Sequence, residues 1–456
     1  MKILAGRIYP VLAAGALLCI ASPAYSQEFF REFGTSRSSS GIGRLTPSAG
    51  VFAGNSPDGL SPVDAVDQQA VEEKYNFRLG LVDFVIAAGI GVEFNDNITL
   101  SHSNELSDIV LRPEVNIEGI LRVSELNTLR FGIGLGYAKY LSHSEFDSES
   151  VILSPTSAIV WTVKTGSLTF TLKERISYQE DPFDLPVLSN VANYKRWENQ
   201  SGIEVDWEAT EYARVSVGFD RFDLWAKDET FAPQDRTINT VFIRPSVDIN
   251  PRLTVGLNGS VSWTDYKQNI QADGKTTLVG PYMQVKVSET TDFYAEVGWQ
   301  KSDFDGGTLQ QVVPVSNGVT GAPFFIEDTQ DSEEMYFKVQ VTNRPSENFR
   351  HSITASRTTE SGLGSNFYDL YHFEYSADWL LRESTSITPT AFYESYETSG
   401  NVPEKARRLG LALGIHHILS NSLTLGLDYR FLMKDSNRPD SDYKQNLGMF
   451  SLYYKF

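Results

Sequence analysis

The sequence predicts an all-β fold: one single-chain antiparallel transmembrane β-barrel of about eighteen strands, with sixteen as the alternative count, behind a short, mostly irregular N-terminal segment. Three observations carry this. Runs of about ten residues alternate apolar and polar side chains, the length a tilted strand needs to cross a bilayer. The connections between those runs alternate between short and long. Tryptophans sit near the ends of the runs in a way that follows strand direction.

Taken in order, the chain opens with Lys2 and Arg7 ahead of an apolar run over residues 11–20, too short to span a bilayer as a helix. Ala24, Tyr25 and Ser26 put small residues where a signal peptidase reads, so residues 1–26 are expected to be a cleaved signal peptide. Cys19 follows Leu18 rather than a small residue, which argues against a lipoprotein signal. With Cys19 removed, the mature chain has no cysteine and no thiol chemistry. Residues 27–80 are rich in Ser, Gly, Pro and Asp, a composition that cannot bury enough apolar surface to fold alone. They read as a flexible periplasmic leader or as a luminal strap whose Arg31, Arg37 and Arg44 meet inward carboxylates.

Residues 81–456 are expected to form the outer-membrane barrel. Leu253, Val255, Leu257, Val261 and Trp263 alternate with Thr254, Gly256, Asn258, Ser260 and Ser262. Leu423 to Phe431 and Ile109 to Val123 repeat the pattern, whereas globular strands average nearer five or six residues. Short links fall at 124–127, 164–167, 209–211, 250–252, 289–291, 382–384 and 420–421. Longer polar stretches fall at 95–107, 180–193, 435–442 and 305–331, giving short periplasmic turns and long external loops. Pro113, Pro155, Pro245, Pro281 and Pro389 lie inside strand-like runs, and each implies a bulge or a gap in pairing because proline has no N–H. Trp161, Trp207 and Trp379 near the bottoms of descending strands, and Trp225 and Trp299 near the tops of ascending ones, form an aromatic girdle at two levels.

The last strand places Phe450, Leu452, Tyr454 and Phe456 on one face and Ser451 and Lys455 on the other. It is expected to pair with the strand around Phe84 to Phe94, and its aromatic face to serve as a signal to the barrel-assembly machinery. The composition fits: 41% hydrophobic and 12% aromatic residues in a chain with no later run long enough for a transmembrane helix. A net charge of −19 argues against a nucleic-acid partner.

Just after the first strand, Gly91-Val92-Glu93-Phe94-Asn95-Asp96-Asn97-Ile98 is followed by Ser107-Asp108-Ile109-Val110-Leu111-Arg112-Pro113. This resembles the β-barrel porin 2 family of Gram-negative outer membranes, whose members carry an F-x-D-N stretch before a strand with an internal proline. The resemblance implies an outer-membrane barrel, read as a pore or linked to extracellular polysaccharide, and it brings no catalytic residue.

No Gly-x-Ser-x-Gly, phosphate loop or His-Glu-x-x-His occurs, so no enzymatic role, cofactor or metal is expected. His416, Ser420 and Asn421 lack the spacing of an outer-membrane phospholipase, and Ser420-Asn421 reads as a turn. Instead the inward face carries both signs of charge. Arg112, Arg122, Arg130, Lys173, Arg175, Arg214, Arg244, Lys286, Lys338 and Arg430 are the basic pore-lining candidates. Glu114, Glu118, Glu204, Asp206, Asp248, Glu296, Glu374, Asp378 and Asp428 are the acidic ones. A lipid-facing Arg or Lys at mid-bilayer costs ~2–4 kcal/mol, so inward placement is close to forced. In the loop 305–331, apolar Val312, Val313, Val315, Phe324 and Phe325 suggest an inward-folded constriction. The reading is a porin-like pore for small solutes, passive or weakly selective, in contact with outer-membrane lipid and lipopolysaccharide. The alternatives are a barrel that exports or assembles polysaccharide and a non-conducting structural barrel.

Overall fold

The computed structural model describes residues 76–182, 186–312, 315–316, 319–320 and 324–456, with side chains in 310–325 outside that description. The expected signal peptide over 1–26, Cys19, and the segment carrying Arg31, Arg37 and Arg44 lie outside the described residues.

Eighteen long strands pair only with their chain neighbours, all antiparallel, and the last returns to the first. The first six are β1 (Val82–Asn95), β2 (Asp108–Ser124), β3 (Asn127–Gly136), β4 (Ala158–Thr165), β5 (Leu168–Gln179) and β6 (Arg196–Glu208). There follow β7 (Ala213–Ala226), β8 (Arg236–Asn250), β9 (Leu253–Tyr266), β10 (Asp273–Ser288), β11 (Thr291–Asp305) and β12 (Ser332–Ser346). The ring is completed by β13 (Phe349–Ser361), β14 (Phe367–Arg382), β15 (Thr385–Thr398), β16 (Lys405–Ser420), β17 (Leu423–Ser436) and β18 (Tyr443–Lys455). A strand of 14 residues such as β17 extends about 45 Å at ~3.3 Å per residue, or about 35 Å along a barrel axis at the usual tilt. That exceeds a ~25 Å apolar band, so the strands rise beyond it as a wall.

The two ends differ as expected. Even strands end in short turns at 125–126, 166–167, 209–212, 251–252, 289–290, 347–348, 383–384 and 421–422, and the turn at 347–348 was not among the links read from the sequence. Odd strands end in the longer loops. Closure comes from β18 on β1, from Ala87↔Lys455 to Asn95↔Leu447, with the Phe456 N–H donating to Ile86 O at 3.1 Å. Phe450, Tyr454 and Phe456 point outward and exposed, while Ser451 and Tyr453 are buried on the inner face. All seven tryptophans face outward at 40–56% exposure, Trp197 and Trp263 joining the upper set that sequence reading assigned only to Trp225 and Trp299.

The prolines act through their missing donor. Pro113, Pro245, Pro281 and Pro389 keep unbroken pairing with one neighbour and lose it with the other, without any shift of register. These four are gaps, not bulges. Only beside Pro155 does the register move, from Leu135↔Leu153 to Gly132↔Ala158.

One gap is put to use. Next to Pro281, Gly280 and Gly298 lie side by side without pairing to each other, and the Tyr336 ring from β12 passes over them to place its hydroxyl 2.7 Å from Glu296 Oε1. A Cβ on Gly298 would meet Tyr336 Cε1 at 2.5 Å, and one on Gly280 would meet the Tyr336 hydroxyl at 2.6 Å. Gly298→Val should therefore lower the stability of the folded barrel by about 1–3 kcal/mol through overpacking. Heat-modifiable gel migration reads this, and an unchanged transition would show that the glycine is dispensable.

Candidate functional site

Partners on neighbouring antiparallel strands share a face, so the register assigns the inner wall residue by residue. Every pore-lining candidate named above lies on it. Arg112 forks onto Glu93, with Nε–Oε2 at 2.6 Å and Nη2–Oε1 at 3.2 Å. Arg122 lies 3.5 Å from Asp83, and Lys173 lies 3.0 Å from Asp220. Arg175 donates to Gln200 Oε1 at 2.7 Å, and Arg214 donates to both oxygens of Asp248 at 2.9 and 3.0 Å. Glu296 accepts from Asn258 at 2.7 Å and from the hydroxyls of Tyr294 and Tyr336. Glu374 lies 3.5 Å from His372, whose other ring nitrogen is 3.2 Å from Glu394. Glu114 and Glu118 on β2, Arg130 on β3, Glu204 and Asp206 on β6, Arg244 on β8, Lys286 on β10, Lys338 on β12 and Asp378 on β14 complete the set.

Three candidates need correction as path-lining groups. Glu296, Asp428 and Arg430 are 5%, 1% and 3% exposed, so they are packed into the wall. Asp428 sits 3.6 Å from His416, and Arg430 donates to Gln445 at 3.1 Å. Ser420 ends β16 and Asn421 lies in the turn after it. Among the described residues no group of three or more His, Cys, Asp or Glu is placed to hold a metal ion.

The lumen is crossed by a loop that sequence reading did not single out. The described residues between β5 and β6, 180–182 and 186–195, are tied at the base by Tyr194 N–H to Glu180 O at 2.7 Å and by Arg196 Nη1 to Asp181 O at 2.9 Å. The tip rests on the inner wall of β15 to β17, well round the ring. The Tyr396 hydroxyl lies 3.1 Å from Pro186 O, sharing its one proton between that carbonyl and Glu404, and Lys434 Nζ donates to Ser189 Oγ at 2.9 Å and Val187 O at 3.4 Å. Ser189 Oγ donates to Ser441 O at 2.9 Å, and Asn190 Nδ2 to Asp440 O at 2.7 Å. Val187 packs against Tyr368, Leu370, Tyr396 and Ala406. The first loop joins it, with Leu100 buried among Phe392, Ala412, Leu432 and Tyr443.

The wall under this tip is a buried charge network. Arg408 lies 3.2 Å from Glu394 with both side chains fully buried, and Lys434 lies 3.0 Å from Glu404, which also accepts from Tyr396 at 2.9 Å. Removing one member of such a pair typically costs ~3–5 kcal/mol, because the other charge is left buried and uncompensated. Sequence reading missed Glu394, Arg408 and Lys434. The adjacent Arg407 and Arg408 point to opposite faces, and only the register tells them apart.

The loop on which sequence reading placed the constriction is described at its base. Thr308–Val312 pairs with Phe324–Asp328, Asp328 accepts from Asn366 N at 2.8 Å, and Leu309 N donates to Ile270 O at 2.9 Å. This holds its base against neighbouring loops at the rim. The side chains of Val312, Val313, Val315, Phe324 and Phe325 lie outside the described residues.

A surface clamp steadies the crossing loop. Glu149, from the loop 137–157, meets Lys195 at 2.8 Å and Lys227 at 2.6 Å. Hydrogen bonds from Lys195 and then Lys227 hold its carboxyl down from an ordinary 4.5 to about 2. Because the folded value is depressed, the clamp is complete above about 4.5 and is lost as pH falls toward 2. Hydrogen exchange corrected for intrinsic rate should show residues 190–195 losing protection across that window, and Glu149→Gln should show the same loss at neutral pH. Protection independent of both would contradict the clamp.

No protein-family model matches the chain, so the resemblance to the β-barrel porin 2 family gains no support there, and no curated relative matches either. Among solved structures the chain is similar to OccK5 (OpdH) of Pseudomonas aeruginosa, at 10% identity over 83% of this chain and 100% of that one, TM-score 0.44. It is similar to a BenF-like porin from Pseudomonas fluorescens Pf-5, at 8% identity over 83% and 100%, TM-score 0.46. It is similar to OmpT of Vibrio cholerae, at 10% identity over 83% and 99%, TM-score 0.40. Likenesses this distant say nothing of what the chain carries.

Proposed function

We propose that the chain is an outer-membrane pore for small polar solutes, exported by its signal peptide and oriented with the long loops outward. The observation that carries this reading is that residues 186–190, from the connection between β5 and β6, rest on the wall of β15 to β17, bonded through Tyr396 and Lys434. A barrel that served only as a wall would gain nothing from a loop fixed across its lumen. On this reading the loop narrows the lumen and sets the size of what passes beside it.

The charges on the remaining wall suit weak selectivity. Arg112 with Glu93, Lys173 with Asp220, and Arg214 with Asp248 are neutralised locally. A solute beside them finds donors and acceptors to replace its hydration, without a ring of one sign to reject an ion. On this reading the path runs past β2 to β8, opposite the wall that the loop covers.

Planar-bilayer recording of the refolded mature chain tests the pore directly: discrete conductance steps with weak cation–anion discrimination are expected, and a barrel that inserts but never conducts would overturn the proposal. Deleting residues 186–190 should enlarge the step, because only the tip that touches the far wall is removed. An unchanged step would show that this loop does not define the narrowing.

A further inference from the structure

A groove on the opposite surface, facing away from the lumen, is unused by that account. A cavity of about 590 Å³ opens on the outer face at the long-loop end, spanning β13 to β17. Register sets Arg357, Tyr371, Ser395, Arg407 and Asp435 side by side along it. The small Ser395 leaves the notch, between the half-exposed Tyr371 ring and Arg407. Directly below, toward the middle of the barrel, Phe373 and Tyr393 are exposed on the apolar band.

The charges here are unequally engaged. Arg357 is held by Glu334 at 3.2 Å and Asp369 at 3.7 Å, with its guanidinium carbon 5.4 Å from the Tyr371 ring centre. Lys405 is paired with Glu397 at 2.8 Å. Arg407 makes neither an ion pair nor a hydrogen bond among the described residues, although Asp435 is its register partner. An exposed guanidinium just above an aromatic row stands where a membrane's hydrocarbon gives way to its headgroups.

We propose that this groove binds the phosphorylated headgroup of an outer-leaflet glycolipid, with Arg407 as the phosphate ligand and Tyr371 against the sugar. The proposal rests on the orientation given under the proposed function, not on conduction. Arg407 offers the forked donor geometry that a phosphate accepts. Asp369 and Glu397 already have basic partners, and Asp435, exposed beside Arg407 without a basic partner among the described residues, is the one free carboxylate the phosphate meets. The aromatic row below favours a lipid over a free anion, because acyl chains continue downward from a headgroup seated in the notch.

Native mass spectrometry of the full mature barrel titrated with a diphosphorylated glycolipid (lipid A) tests this. Arg407→Gln should weaken binding about tenfold, the usual loss for hydrogen bonds to a charged group, and Ser395→Trp should block it by filling the notch. The dephosphorylated lipid should bind wild type as weakly as the intact lipid binds Arg407→Gln. Binding as tight as wild type by either variant, or indifference to the phosphates, would overturn the site. Competition by inorganic phosphate at equal concentration would overturn the lipid assignment. All variants should conduct as wild type, so failure here is separable from failure of the pore.

Discussion

Everything in this molecule depends on the seam where β18 meets β1. In hydrocarbon, a backbone N–H or C=O without a partner costs several kcal/mol, so a sheet survives there only with no edge. The nine register pairs from Ala87↔Lys455 to Asn95↔Leu447 remove that edge. Once the ring is closed, the period of two leaves each side chain a single choice between lipid and lumen. The charge on the inner wall, the aromatic girdle and the notch on the outer face all follow from that choice.

The apolar band was legible in the sequence because there the two faces meet opposite environments. Strand count, closing partner and the inward set from Arg112 to Asp428 could be read from alternation, and the turn ends from the alternating lengths of the connections. Legibility fades at the long-loop end, where the strands outrun the band and alternation inverts. On β7, Phe222 and Leu224 are buried inward with Ile238 of β8, while Arg221 and Asp223 form an outward pair at 2.7 Å. With water outside and loops packed inside, the inner face there becomes the apolar one. The same inversion hid Phe392 and Leu432 as luminal residues.

The loop against β15 to β17 was illegible for a different reason. Sequence reading chose the loop with the most apolar side chains, but the crossing loop is held mainly by polar contacts. Ser189 and Asn190 bond to backbone carbonyls of another loop, and Lys434 bonds back to the tip. A Ser-Asn pair at a loop tip looks the same in sequence whether it faces water or a distant wall. What could have flagged it is Lys434, a lysine among apolar neighbours on β17 that demanded an inward acceptor.

The account stands or falls on the tip of 180–195 resting against β17 while the protein conducts. The mature chain is expected to be free of cysteine, so a Ser189→Cys, Ser441→Cys pair, at the short contact between the tip and the loop that follows β17, can be oxidised cleanly during bilayer recording. The cross-link should form readily and leave the conductance step unchanged, because it fixes a contact already present. Failure of the pair to cross-link, or a step that collapses when it does, would contradict the loop's place in the pore.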